Sequence, residues 1–125
     1  MARTIAGKLG GEFDVVLVRK LRAPCQPEFA IGSIDENGWA YIAPHALAMD
    51  IDAGYLAQEE SRQLETVRRR RAQYTPVRAP IDPAGRIVIV VDDGLATGAT
   101  MIAALHGLKN HRPAELVCAV PVAPA

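Results

Sequence analysis

The sequence predicts an α/β fold, and three observations lead there. Short continuous apolar runs at DVVLV (14–18) and RIVIVV (86–91) read as strands buried on both faces. A third run, ELVCAVPV (115–122), closes the chain. Between them lie stretches with helical periodicity, at 53–74 and 100–110. Buried strands alternating with helices define a parallel sheet with helices packed on it.

The elements follow in order. MARTIAGKLGGEF reads as a short helix, with Ile5 and Leu9 one turn apart and Gly10-Gly11 as its stop. The first apolar run ends abruptly in Arg19-Lys20, and Pro24 and Pro27 mark a loop. FAIGSI and WAYIA flank DENG, whose Asn37-Gly38 signals a hairpin because both residues tolerate positive φ. Acidic and small, this hairpin is expected to be exposed. Pro44 to Met49 suits a single helical turn. Asp50 or Asp52 is placed to cap the long helix 53–74, in which Leu56, Leu64 and Val67 form one stripe. Its acids come early and its arginines late, as the helix dipole favours, so Arg68 to Arg71 read as a solvated helix end. Prolines 76, 80 and 83 make 76–85 a connector. In the last helix Met101, Ile102, Leu105 and Leu108 share a stripe. Residues 1–125 are expected to be one domain, with 23–85 a hairpin and long-helix insertion.

Composition is that of an ordinary globular chain. Half the residues are hydrophobic and 22% are charged, with 14 basic and 14 acidic residues and no net charge. No polyanionic partner follows from that balance, and nucleic acid is not an expected partner. The charge is unevenly spread, since residues 23–57 hold five acidic and no Lys or Arg side chains. Cys25 and Cys118 make neither a disulfide framework nor a zinc motif, which favours a reduced, cytoplasmic setting. No run approaches the roughly 20 apolar residues of a membrane helix, so no membrane association is expected.

The chemistry concentrates in RIVIVVDDGLATGATM, residues 86–101. Ligands of open parallel sheets sit beyond the carboxyl ends of the strands. Asp92 and Asp93 stand there side by side, and their like charges must be solvated or neutralised. Gly94, Ala96, Gly98 and Ala99 leave the backbone open to close approach, Thr97 and Thr100 add hydroxyls, and a helix N-terminus follows. That combination suits a phosphate. The carboxylates suit ribose hydroxyls, a hydrated Mg²⁺, or both. Arg19-Lys20 is expected on the same sheet edge, giving one pocket an acidic and a basic wall. Neither the P-loop spacing nor Gly-x-Gly-x-x-Gly is present, and a receiver domain carries its paired acids near the start of the chain.

Val88 to Thr100, VIVVDDGLATGAT, resembles the signature of the type I phosphoribosyltransferases: four apolar residues, two acids, then a small-residue loop with threonines. The departure is Gly94, where that family usually has a branched aliphatic residue or Met. The wider pattern VRKL…PxxPEFAIGSI…DDGLATGATM is similar to a bacterial subgroup of these proteins, and the likeness runs from about Asp14 to Pro121.

The resemblance implies a Rossmann-like core and binding of 5-phosphoribosyl 1-diphosphate (PRPP). Asp92 and Asp93 would hold the ribose 2- and 3-hydroxyls, directly or through Mg²⁺. Ala96, Thr97, Gly98, Ala99 and Thr100 would cradle the 5-phosphate, while Arg19 and Lys20 would contact pyrophosphate. The implied reaction is displacement of pyrophosphate by a nitrogenous base, with Asp92, Asp93 and Lys20 central to it. Residues 23–42 take the place of the family's mobile loop, and Glu28 within it reads as a surface acid. A strand and a pyrophosphate-binding glycine loop precede the first helix in that family. This sequence opens at the helix, so binding is expected to outlast turnover. The alternative is a non-catalytic module that senses PRPP or a nucleotide. The family is often dimeric, which makes a homodimer the expected assembly. The acceptor base is not encoded in the signature. His45, His106 and His111 are scattered, and Phe29, Trp39 and Tyr41 are assigned to hairpin packing.

Overall fold

The computed structural model describes residues 1–74, 76 and 79–125. The elements are α1 (Ala2–Leu9), β1 (Val18–Ala23), β2 (Gln26–Asp35), β3 (Ala40–Ile42), α2 (Pro44–Leu47), α3 (Ala53–Tyr74), β4 (Ile87–Val91), α4 (Ala99–Lys109) and β5 (Glu115–Ala119). β4 and β5 pair in parallel from Ile87 opposite Glu115 to Val91 opposite Ala119, with α4 as the crossover. β1, β2 and β3 form a separate antiparallel sheet in that order. The α/β class therefore holds, but among the described residues parallel pairing is confined to β4 and β5. α4 packs against β1, β2, β3 and β5 and so joins the two sheets.

The first strand departs from expectation. It begins at Val18, and Val15 and Val16 are exposed. Its partner is β2, and the ladder starts with Val18 opposite Asp35. β2 ends there because the Asp35 carboxylate turns inward and accepts the amides of Asn37 and Trp39, both at 2.9 Å. Among the described residues no strand lies beside residues 14–17, which are tied down instead by polar contacts. Asp14 accepts the Ile81 amide at 2.8 Å, and Arg71 donates to the Val15 carbonyl at 3.0 Å. Arg19 and Lys20 consequently lie inside an antiparallel strand, not at the end of a parallel one.

The expected loop at Pro24 and Pro27 is the tight end of the β1–β2 hairpin. Cys25 turns the chain with φ 64°, and the register slips between Arg22 and Ala23 as a bulge. The bulge carries Pro27, which cannot donate to a regular ladder. The Asn37-Gly38 hairpin is present, with Ser33 opposite Tyr41. It is not the exposed feature expected. Leu21, Ile31 and Ile34 are almost wholly buried with Ala23 and Ala46, and Leu56 and Leu64 of α3 pack against them. This cluster is the core, so 23–42 as a whole cannot serve as a mobile loop. Its proline-bearing tip, residues 24–29, and Asn37 are exposed.

α3 starts where Asp52 accepts the Tyr55 amide at 2.9 Å, as expected of a cap. Its inward face carries Glu59, Gln63 and Val67, and the apolar stripe did not reveal the buried polar pair among them. α4 also differs. Its buried residues are Ala99, Met101, Ala103, Ala104 and Gly107, while Ile102 is 37% exposed. The helix lies so close to β2 that a Cβ on Gly107 would meet Asp35 Oδ2 at 3.0 Å. Close approach selects small residues over the Leu stripe. β4 is not buried on both faces either, since Ile87 and Ile89 are 66% and 38% exposed. The connector expected at 76–85 includes Val77 and Arg78, which lie outside the described residues.

Candidate functional site

β4 delivers Asp92 and Asp93 at its carboxyl end, held because the Asp92 amide donates to the Ala119 carbonyl at 3.3 Å. The Asp92 side chain folds back and accepts the Asp93 amide at 2.8 Å, leaving the Asp93 carboxylate exposed. The following loop is pinned by the Leu95 amide, which donates to the Val122 carbonyl at 2.9 Å. Gly94 has room for a side chain: a Cβ there would meet only the Val122 carbonyl oxygen, at 3.7 Å.

Gly98 precedes α4 in the left-handed region at φ 78°, and open space surrounds it. The Ile102 amide donates to the Gly98 carbonyl at 2.9 Å. The amides of Ala99, Thr100 and Met101 therefore come before the first intrahelical bond, which leaves donors at the positive end of the helix. Ala99 has one weak partner, Thr97 Oγ1 at 3.4 Å. From below, Ser33 donates its hydroxyl to the Ala99 carbonyl at 2.6 Å and is wholly buried.

Lys20 reaches this helix end by a route unlike the expected one. It stands opposite Ser33 in the β1–β2 ladder, and Ser33 carries the bond to Ala99. A cavity of about 540 Å³ is lined by Arg19, Lys20, Arg22, Arg70 and Thr100, with Glu28 at its wall. Basic side chains and the phosphate-type loop thus share one space through Thr100. Asp92, Asp93, Ala96 and Thr97 do not line that cavity. Burial, then the charges of Arg70 and Arg22, lower the pKa of Arg19, while the charge of Glu59 opposes them.

Two of these basic residues escaped the sequence reading. Arg70 belongs to a run read as a solvated helix end, yet it follows Gln63 and Val67 at the helical spacing of a single face. Its neighbour Arg71 grips Glu36 bidentately at 2.8 and 2.9 Å. That pairing is the main reason the Arg71 pKa is raised. Arg69 pairs with Glu65 one turn away at 3.2 Å. Arg22 lies two residues after Lys20, on the same face of β1. The hairpin aromatics reach beyond the hairpin to which they are assigned. Trp39 stacks on His106 at 3.7 Å, and Phe29 meets His45 edge-on at 5.3 Å.

A β4–α4–β5 unit with carboxylates at the strand end and a glycine-threonine loop opening the helix defines the candidate site of an α/β protein. The family model described as a phosphoribosyl transferase domain matches residues 1–125. The chain belongs to that family.

A Mycobacterium tuberculosis protein named "Putative phosphoribosyl transferase" is 38% identical over 125 residues, covering 99% of this chain and 28% of its own length. An adenine phosphoribosyltransferase of Rhodospirillum centenum is 30% identical over 93 residues, or 70% of this chain and 54% of that protein. Among solved structures, the crystal structure of TT1426 from Thermus thermophilus matches with a TM-score of 0.69 and 48% identity, over 95% of this chain and 57% of that one. The chain thus spans little more than a quarter of the mycobacterial relative and just over half of the Thermus chain. Among the described residues no helix is long and apolar enough to cross a membrane.

Proposed function

We propose that this chain binds PRPP and passes its phosphoribosyl group to a nitrogenous base. The observation that carries this reading is the cavity in which Lys20, Arg22 and Arg70 meet Thr100 at the start of α4. Amides of Ala99, Thr100 and Met101 hold the 5-phosphate, helped by Ala96 to Gly98, and Asp92 with Asp93 take the ribose hydroxyls. Lys20 and Arg19 face the pyrophosphate, with Arg70 reinforcing them.

In the reaction the bond between the anomeric carbon and the pyrophosphate oxygen breaks, and pyrophosphate leaves with the electron pair. The acceptor nitrogen supplies the pair for the new carbon–nitrogen bond and releases its proton to solvent. Positive charge fixed beside the departing oxygens lowers that barrier, and the phosphate cradle sets the geometry of attack.

Adjacent Asp92 and Asp93 oxygens suit a partly hydrated Mg²⁺ that completes its shell from substrate oxygens. Among the described residues no group of three or more His, Cys, Asp or Glu side chains offers an all-protein metal cage. When bound with PRPP, Mg²⁺ supplies further positive charge against the pyrophosphate. Two free, exposed cysteines suit a reduced, cytoplasmic setting.

The test is pyrophosphate release from PRPP and Mg²⁺ with a panel of purines, pyrimidines and orotate. Adenine belongs in that panel because one relative is named for it. Release that depends on one base supports the transfer reading. PRPP binding without release under every base points to a sensing module instead.

A further inference from the structure

A second cleft, of about 470 Å³, opens between the tip of the β1–β2 hairpin and α3. It shares Arg19, Arg22 and Pro27 with the Lys20–Thr100 cavity, so a group held in one cleft abuts a group held in the other. Nothing in the proposed handling of PRPP uses Tyr55, Glu59, Arg62 or Gln63, which line it.

This cleft is built, not incidental. Glu59 and Gln63 are only 2% and 6% exposed, although both are polar. Buried polar groups of this kind persist when their partners are in place. Glu59 accepts from Gln63 Nε2 at 2.6 Å and from Arg62 at 3.4 Å. Gln63 Oε1 accepts from Arg19 Nε at 3.1 Å. The Tyr55 hydroxyl donates to the Arg22 carbonyl at 2.6 Å and lies 3.1 Å from the Glu59 carboxylate, which fixes the hairpin tip against α3.

The charge does not close. Arg19, Arg22 and Arg62 line the cleft against one carboxylate, Glu59. Arg62 pairs with Glu59, and Arg19 is oriented by Gln63. Arg22 is exposed, and its guanidinium has no acidic partner among the described residues. Counting Arg19 with the pyrophosphate side leaves one uncompensated cation, which complements a single negative charge. Pro24, Pro27 and the Tyr55 ring give the same cleft apolar walls.

We infer that this cleft holds the acceptor of the transfer, and that the acceptor is a flat heterocycle carrying a carboxylate. The ring rests on the prolines and Tyr55, while Arg22 and Arg62 take the carboxylate through the paired N–H groups that suit its geometry. Sharing Arg19 and Arg22 with the neighbouring cavity places the acceptor beside the bound PRPP and keeps guanidinium charge between the carboxylate and pyrophosphate. The inference rests on the phosphoribosyl-transfer reading and specifies its acceptor.

The test measures binding by calorimetry to the 125-residue chain with Mg²⁺, using matched probes: orotate against uracil, nicotinate against nicotinamide, and adenine as a neutral purine. PRPP is titrated in parallel. At least one acid should bind about tenfold or more tightly than its neutral partner, as a charge-assisted hydrogen bond to an anion provides. Arg62→Gln should remove that preference and leave PRPP affinity unchanged. Arg22→Gln, which breaks no ion pair, should weaken acid binding even if Arg62→Gln fails to fold.

PRPP binding with no acid preference, or with adenine the tightest probe, would overturn the acceptor assignment while leaving the transfer reading standing. An acid preference that survives both variants would overturn it too. An acid that binds through Arg22 and Arg62 while PRPP does not bind would sink the transfer reading, and the cleft's acceptor role with it.

Discussion

Ser33 donates a hydrogen bond to the carbonyl of Ala99 at 2.6 Å, from a strand position wholly buried between the two halves of the molecule. Ser33 also stands opposite Lys20, so one hydroxyl couples the basic strand to the first residue of the loop-capped helix. The two sheets share no strand, and this bond ties β2 directly to α4.

Ser33→Ala should therefore act on both stability and binding. Losing the bond removes one buried hydrogen bond, a net cost of about 0.5–1.5 kcal/mol. Thermal unfolding should show the loss, and ribose 5-phosphate titration should show weaker binding as the start of α4 loosens. A variant that melts lower but binds equally well would confine Ser33 to a structural role.

Gly98 and Thr97 should differ in their effects. At φ 78° any L side chain on Gly98 is strained, whereas no neighbouring atom lies within 4 Å to crowd it. Gly98→Val should thus lose ribose 5-phosphate affinity because the loop changes its path and its amides turn off the anion. Thr97→Ala gives up a 3.4 Å contact to the Ala99 amide and a hydroxyl, a net loss of about 0.5–1.5 kcal/mol. Titration of both variants is the check, and normal binding by Gly98→Val would reduce the loop to a simple turn.

Gly32 is a packing requirement of the core sheet. A Cβ there would overlap the Tyr41 carbonyl oxygen on β3, which is backbone and cannot swing aside. Gly32→Ala should force β2 and β3 apart and destabilise the fold by about 1–3 kcal/mol, the usual range for overpacking. Denaturant unfolding would detect it. An unchanged midpoint would mean that the strands separate freely there.

Tyr55 should make stability sensitive to alkali. Burial, then its hydrogen bond to Glu59 and that residue's charge, raise its pKa above the ordinary 10.0. A phenol whose folded pKa is raised contributes stability that is fully present below the unfolded value and lost as pH rises through the folded one. Tyr55→Phe should thus flatten the fall in stability above about pH 10. Unfolding curves across that range decide it, and parallel profiles for variant and parent would contradict the linkage.

Legibility in the sequence followed local physics. The α1 stop at Gly10, the Asn37-Gly38 hairpin, the Asp52 cap and the β4–α4–β5 crossover were all readable, because each rests on near neighbours. What failed depended on distant partners. DVVLV has the composition of a buried strand, but the pairing of Val18 with Asp35 starts the ladder four residues later than expected. The Leu and Ile stripe of α4 lost to alanines because the helix lies against Asp35 at Gly107.

The candidate site divides the same way. Asp92 to Thr100 form one continuous stretch, and the motif alone picked them out. Arg70 and Arg22 come to the cavity only through the phase of α3 and the alternation of β1, and the charge run hid the first of them. Lys20 was named for a strand end that does not exist, yet its antiparallel register brings it to Thr100.

The central claim is that the carboxylates at the end of β4 hold PRPP, and calorimetric titration of PRPP with Mg²⁺ tests it most directly. Adjacent charges on Asp92 and Asp93 repel, and Asn at either position keeps the size and an acceptor oxygen, including the one that meets the Asp93 amide. The Asp92→Asn, Asp93→Asn protein should fold at least as stably as the parent. The account predicts Mg²⁺-dependent binding by the parent and a loss of about tenfold or more, ~1.4 kcal/mol, in the double variant. Equal affinities in the two proteins, or no PRPP binding by the parent, would contradict it.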